Sequence, residues 1–182
     1  MKKTIFFSFA AVILSFTTAK ADKYNYVPYI GGSYSYATAH IKGAQPHYNI
    51  GGIYVGSEYG KYFSTEIFYN QSTYDNNYIE GIKTRTSYRS YGLDLMAYLP
   101  LDCNNRFDLV GTAGIGEYVF AKKIQGDKHH NDSGWGYRFG GGFKYNITPN
   151  WQAKTLVRYV NFDGVSDFDH QIEYSLNAEY HF

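Results

Sequence analysis

Residues Ile172 to Phe182 read IEYSLNAEYHF, and this stretch decides the fold. Ile172, Tyr174, Leu176, Ala178, Tyr180 and Phe182 are apolar or aromatic, while Glu173, Ser175, Asn177, Glu179 and His181 between them are polar. Unbroken alternation over that length is the period of a β-strand with one greasy and one wet face. The strand ends on the aromatic ring itself.

Working outward, the chain supplies eight segments with this character, near Val27–Ala37, Tyr48–Glu58, Tyr62–Ser72, Thr86–Leu99, Phe107–Ala121, Gly134–Asn146, Trp151–Phe162 and Ile172–Phe182. Each reaches the roughly 9 to 11 residues that a strand needs to cross a membrane. The connections alternate in length. Residues 58–61, 100–106 and 147–150 are short, whereas 38–47, 73–85, 122–133 and 163–171 are longer and more polar. Short turns at one end and long loops at the other are the pattern of an all-β, eight-stranded antiparallel up-and-down transmembrane barrel. Parity assigns faces. Trp135, Tyr137, Phe139, Phe143 and Tyr145 point outward with Gly141, and Arg138 and Lys144 inward. Ser64, Glu66, Phe68, Asn70, Asp94, Gln152, Lys154 and Arg158 are likewise inward. Glycines blur the second and fifth segments, so Glu117 is open between the interior and the outer headgroups.

The amino-terminal end agrees. Lys2 and Lys3 precede an apolar run from Thr4 to Ser15, and Ala19-Lys20-Ala21 has the small-x-small form of a signal-peptidase site, so residues 1–21 read as a cleaved secretory signal peptide and 22–182 as the barrel. The run falls short of the roughly 20 residues of a membrane helix. Cleavage removes three lysines, leaving 14 basic against 16 acidic residues, a formal net charge of −2. Nothing in that charge suits nucleic-acid binding. The 21 tyrosines and 13 phenylalanines sit in a chain whose mean hydropathy is −0.43, which fits a barrel with half of each strand facing lipid and half a polar interior. The single cysteine, Cys103, cannot form an internal disulfide.

Trp135 to Tyr159 reads WGYRFGGGFKYNITPNWQAKTLVRY, with a glycine run, an ITP turn and a basic-patterned seventh strand. This resembles the OmpA-like transmembrane barrel and the wider family of small eight-stranded outer-membrane proteins that includes opacity-type adhesins and the OmpX/Ail group. The resemblance implies a protein of the Gram-negative outer membrane, in contact with membrane lipid and lipopolysaccharide, but no single activity. The closing strand, with Leu176, Tyr180 and Phe182, looks like the signal read by the barrel-assembly machinery. Likeness to OmpA also implies that Glu66 and Lys154 occupy the positions of its gating acid and base, although Lys144 stands where that pattern carries an acid and Met96 where it carries a lysine.

An eight-stranded interior is just wide enough for side chains to fill it. The inward set holds Glu66, Asp94, Glu173 and Glu179 against Arg138, Lys144, Lys154 and Arg158. Buried charges are costly unless paired, so two layers of ion pairs are expected. The lower layer takes Glu66, Asp94, Lys144, Lys154 and Glu179; the upper takes Arg138, Arg158 and Glu173, with Lys154–Glu179 and Arg158–Glu173 as neighbours. Such a network either plugs the barrel or gates a minor ion path. Outward aromatics fall into two groups, Tyr62 or Phe63, Tyr145, Trp151, Tyr180 and Phe182 near one interface and Tyr36, Tyr69, Trp135, Tyr137, Tyr159 and Tyr174 near the other, as girdles would. Lys83, Arg85 and Arg89 at the outer end of the fourth strand are placed to meet lipopolysaccharide phosphates. Five histidines, His40, His47, His129, His130 and His170, fall in the long loops. His130 with Ser133 is the nearest approach to a lipid A deacylase step, and no catalytic residue, cofactor or metal is assigned. The reading is a non-enzymatic barrel presenting loops for interaction, adhesion and envelope integrity, with a host or surface ligand that the residues do not name.

Overall fold

A computed structural model describes residues 26–41, 45–79, 82–124, 130–164 and 168–182. The signal-peptide reading of residues 1–21 lies outside the described residues. Nine strands follow in order: β1 (Tyr26–Ile41), β2 (His47–Tyr59), β3 (Phe63–Ser72), β4 (Asp75–Ile79), β5 (Ile82–Pro100), β6 (Phe107–Ile124), β7 (His130–Asn146), β8 (Trp151–Asp163) and β9 (Phe168–His181). Every pairing is antiparallel, and β1 joins β9 while β3 joins β5, so eight strands close into a barrel without a free edge. Short β4 lies outside this count. It pairs with β5 alone and prolongs the wall above β3.

All eight expected segments become barrel strands, and most of them run further than expected toward the long-connection end. β1 continues to Ile41, β5 starts at Ile82, β7 starts at His130 and β9 starts at Phe168, so much of the sequence expected as loop is hairpin. His40, His47, His130 and His170 accordingly lie on strands, not in loops. The added residues, 38–41, 82–85, 130–133 and 168–171, are mostly polar, so apolar alternation does not mark them, although Ala39 and Gln171 are buried there. Main-chain hydrogen bonding does not stop there.

The face assignments hold along β3, β5, β7, β8 and β9: Glu66, Asp94, Arg138, Lys154 and Glu179 are buried inside, and Phe63, Leu95, Phe139, Val157 and Leu176 are exposed outside. The closing strand is pinned through its last residues, with the His181 amide donating to the Asn150 carbonyl at 2.8 Å and the Phe182 amide to that of Pro28 at 3.1 Å. Between β2 and β3, Gly60 takes a φ of 65°, a backbone conformation that glycine adopts without strain.

Inward glycines have a packing role. A Cβ on Gly31 would strike the Tyr54 ring, on Gly56 the Tyr29 ring, on Gly114 the Asp94 carboxylate and on Gly136 the Tyr118 ring. Four inward glycines thus make room for four inward side chains from neighbouring strands. At Gly140 and Gly142 the obstacle is backbone, the carbonyls of Val157 and Thr155. There only glycine lets β7 approach β8 so closely.

Candidate functional site

The interior is built in tiers. At the short-turn mouth, Lys144 of β7 lies 2.9 Å from Glu58 of β2 and 3.1 Å from Asp108 of β6. Above it, Lys154 of β8 bonds Glu66 of β3 and sits 2.7 Å from Glu179 of β9. Around the ring of eight strands, β7 stands opposite β2 and β8 opposite β3. The two lysines are therefore struts across the lumen, a span their four-carbon stems can bridge. Tyr29 donates to Glu66 at 3.0 Å and Tyr54 to Glu179 at 3.3 Å, satisfying further oxygen lone pairs.

The third tier centres on Asp94. Its carboxylate takes a two-pronged contact from Arg138 and faces Arg158 at 3.6 Å, while Arg158 reaches Glu173 at 3.1 Å and Ser175 at 3.3 Å. The Arg138 guanidinium also lies 3.4 Å over the Phe68 ring. Two expectations need correction here. Asp94 belongs with the arginines, not with the lower group, and Lys144 belongs to a separate tier at the mouth whose acids, Glu58 and Asp108, were absent from the expected set. The stagger of strands around the barrel sets which inward residues share a height, and residue counting along each strand does not contain it.

Over these charges sits a tier without any. Tyr48, Tyr88, Tyr118, Phe120 and Phe162 pack with Ile50, Val160, Ala37 and Ala39 into one buried cluster. Ring centroids lie 4.9 Å apart for Tyr118–Phe162, 5.2 Å for Tyr48–Tyr88 and 5.3 Å for Phe120–Phe162, with planes near perpendicular. Two of the three tyrosine hydroxyls find partners, Tyr48 with Thr86 at 2.9 Å and Tyr88 accepting from Gln171 at 2.9 Å, while that of Tyr118 is buried without one. This aromatic tier had a signal in the sequence, the even-numbered run Tyr118, Phe120 that shares parity with Asp108, but the glycines of β6 masked it.

Outside, the aromatics form two levels. Trp151–Tyr180 and Tyr180–Phe182 pack edge to face at 5.2 and 5.5 Å beside the short turns, and Leu176 stands exposed above them. Glu117 proves to be outward, in register with Tyr91 and Trp135, and its carboxylate accepts from the Tyr91 hydroxyl. At the outer rim Arg89 is exposed and Arg85 lies 4.0 Å over the Tyr74 ring. Lys83 is on β5 in register with Tyr78; its side chain, like that of His130, lies outside the described residues, as does the whole of His129. His170 stacks on His40 at 4.5 Å and on Tyr159 at 5.3 Å. At the other end, the Asp102 carboxylate accepts from the amides of Arg106 at 2.7 Å and Phe107 at 3.0 Å, which holds its carboxyl below the usual value.

Comparison with known proteins gives the same architecture. Residues 7–182 match the family model described as outer membrane protein beta-barrel domain. No curated protein matches the chain. Among solved structures, Neisserial surface protein A (NspA) superposes with a TM-score of 0.72 at 15% identity, covering 85% of this chain and 97% of its own. The N-terminal β-barrel domain of Pseudomonas aeruginosa OprF gives 0.58 at 13%, with 85% and 97% covered. Ail, the attachment invasion locus protein of Yersinia pestis, gives 0.52 at 18%, with 86% and 97% covered.

Proposed function

The chain belongs to the outer membrane β-barrel domain family and is an outer-membrane protein, and from that premise we propose that it is a non-enzymatic surface protein whose filled barrel is a rigid support for its outer hairpins. One observation carries this reading: the lumen is packed from the Lys144 tier at one mouth to the Tyr48–Phe162 cluster near the other, so solvent-facing chemistry is confined to the rims. The described charged side chains of the lumen turn to one another and away from solvent. Binding residues concentrate on loops held by a rigid scaffold, and the hairpins formed by β4–β5 and β6–β7 are such elements here. Surface interaction, adhesion and envelope integrity are the functions they suit. The attachment locus protein among the structural neighbours is consistent with that role for a barrel of this size.

The same reading assigns Arg85 and Arg89, with Lys83, to lipopolysaccharide phosphates at the outer rim, and Leu176, Tyr180 and Phe182 to recognition by the assembly machinery after removal of residues 1–21. The test is display on a non-adherent Gram-negative host, with the hairpins spanning residues 75–86 and 122–132 shortened to tight turns in the variant. We expect the parent to raise adherence to protein- or glycan-coated surfaces and the variant to lose the gain, with both keeping the mobility shift between unheated and boiled samples on gels. Equal adherence by parent and variant overturns the proposal, as does a changed lipid A mass on overexpression.

A further inference from the structure

The lumenal charges do not balance. In the upper tier Asp94 and Glu173 face Arg138 and Arg158, two of each sign. In the two lower tiers four carboxylates, Glu58, Glu66, Asp108 and Glu179, share two ammonium groups, Lys144 and Lys154. The other described cations at that end, Lys61 and Arg106, are exposed on turns. The lower lumen thus holds twice as many carboxyl groups as ammonium groups, with His181 beside two of the carboxyls. An uncompensated charge in a low-dielectric interior is costly enough that something must offset it.

The shortage has a focus. Glu58, Glu179 and His181 each offer one ligand atom, and the three atoms lie within 4.8 Å of one another. His181 Nε2 is 3.3 Å from Glu179 Oε1, and His181 Nδ1 is 3.9 Å from Glu58 Oε2. These two contacts use opposite nitrogens of the ring, the first as a hydrogen bond, and an ion takes only one of them; zinc bonds of about 2.0 to 2.2 Å set tetrahedral ligand atoms roughly 3.4 Å apart, a spacing that rotation of the His181 ring and of Glu58 at the mouth reaches from the present 4.8 Å or less. Two further oxygens at this level have no hydrogen-bond partner: Oε1 of Gln152, which is 8% exposed and directly opposite Glu179 in register, and Oδ1 of Asp108, which is 4% exposed. Buried acceptors without donors beside a charge deficit are what a cation would satisfy.

We propose that Glu58, Glu179 and His181 form a divalent transition-metal site at the short-turn mouth of the lumen, with Gln152 as a fourth oxygen donor. An imidazole with two carboxylates selects zinc-like ions over calcium or magnesium, which prefer all-oxygen shells. One such ion supplies positive charge where four carboxyl groups share two ammonium groups. The site also has a mechanical meaning. Glu58 is on β2 and the other two ligands on β9, the two strands that flank β1. A shared ion clamps β1 between them at the seam where the barrel closes, with the Tyr29 ring of β1 stacked on His181 at 4.8 Å.

The experiment is zinc titration of the folded, chelator-washed protein in detergent, by calorimetry and by metal analysis after desalting. We expect one zinc per barrel, loss of binding in His181→Ala, weakening by at least about tenfold in Glu58→Gln, and retention in a His40→Ala, His47→Ala, His170→Ala triple variant that removes the outer histidines. Zinc should also raise by several degrees the temperature at which the unboiled band shifts, and chelator should reverse this. Should His181→Ala fail to fold, Glu58→Gln carries the test, because its oxygen lies at the partly open mouth. No saturable one-to-one binding, binding indifferent to Glu58→Gln, or a preference for calcium would overturn the site.

Discussion

The lower and upper halves of the lumen fill the same cylinder by opposite means. Below, long side chains reach specific partners: Lys144 to Glu58 and Lys154 to Glu66 across the barrel, and Arg138 to Asp94 two strands away. Above, Tyr48, Tyr88, Tyr118, Phe120 and Phe162 fill the space by shape, with no charge among them. The difference lies in how each half tolerates change. A buried charge network depends on every member, because removing one leaves another uncompensated. An apolar cluster depends on volume, and a neighbour of similar size can replace a lost one.

The sharpest way to break the contrast is at Asp94, the carboxylate shared by two buried arginines. Asp94→Ala should cost about 3 to 5 kcal/mol, the range for stranding a buried charge, and should remove most of the unheated folded species in denaturant titrations in detergent. A loss under 1 kcal/mol would mean that water enters the charged tiers freely. Phe162→Ala in the upper tier should cost about 3 kcal/mol by opening a cavity. It should also produce conductance in planar bilayers that the parent and Glu66→Ala lack, if the aromatic tier and not the ion pairs seals the barrel. Discrete conductance in the parent would place the seal elsewhere.

Phe162→Leu tests tolerance directly. Keeping an apolar side chain near the original volume, it should cost less than about 1.5 kcal/mol, well below the charge deletion. Deletion of Phe182 lies outside both halves. That ring is 69% exposed to the membrane side, so the folded barrel should refold in detergent nearly as well as the parent, while its level in the outer membrane of cells falls. Normal cellular levels would remove the assembly role given to the terminal strand. The smallest effect belongs to Asp102. Its carboxyl is held below the usual value by two backbone donors, so its contribution to the Leu101–Arg106 turn is present above the ordinary carboxylate range and disappears as pH falls through the lowered value. Asp102→Asn should abolish that acid-side dependence in melting curves.

Much of this is legible in the sequence. The alternation in Ile172–Phe182, the parity of Trp135–Tyr145 and the alternating loop lengths led to eight strands with the right faces, and Lys154–Glu179 and Arg158–Glu173 were visible as neighbours on adjoining strands. Other parts were hidden for identifiable reasons. Glu58 and Tyr54 sit on a strand whose glycines at 51, 52 and 56 interrupt the pattern, and those at 111, 114 and 116 do the same before Tyr118 and Phe120. The outer ends of β1, β5, β7 and β9 are mostly polar and short, so periodicity has little to report there.

What the sequence determined by itself is what repeats locally where glycines leave the alternation intact: the identity of the eight barrel strands, the positions of the short turns, and inward or outward facing along β3, β5, β7, β8 and β9 with the charges they carry inward. These follow from a period of two along a pleated backbone, which neighbours in sequence are sufficient to express. Only the closed barrel decided which charges meet. Lys144 with Glu58 and Lys154 with Glu66 are partners on opposite walls, and Asp94 turns from its register neighbour Glu66 toward Arg138 two strands away. Heights across a lumen are set by strand tilt and stagger on closure, a property of all eight strands together that no single segment encodes.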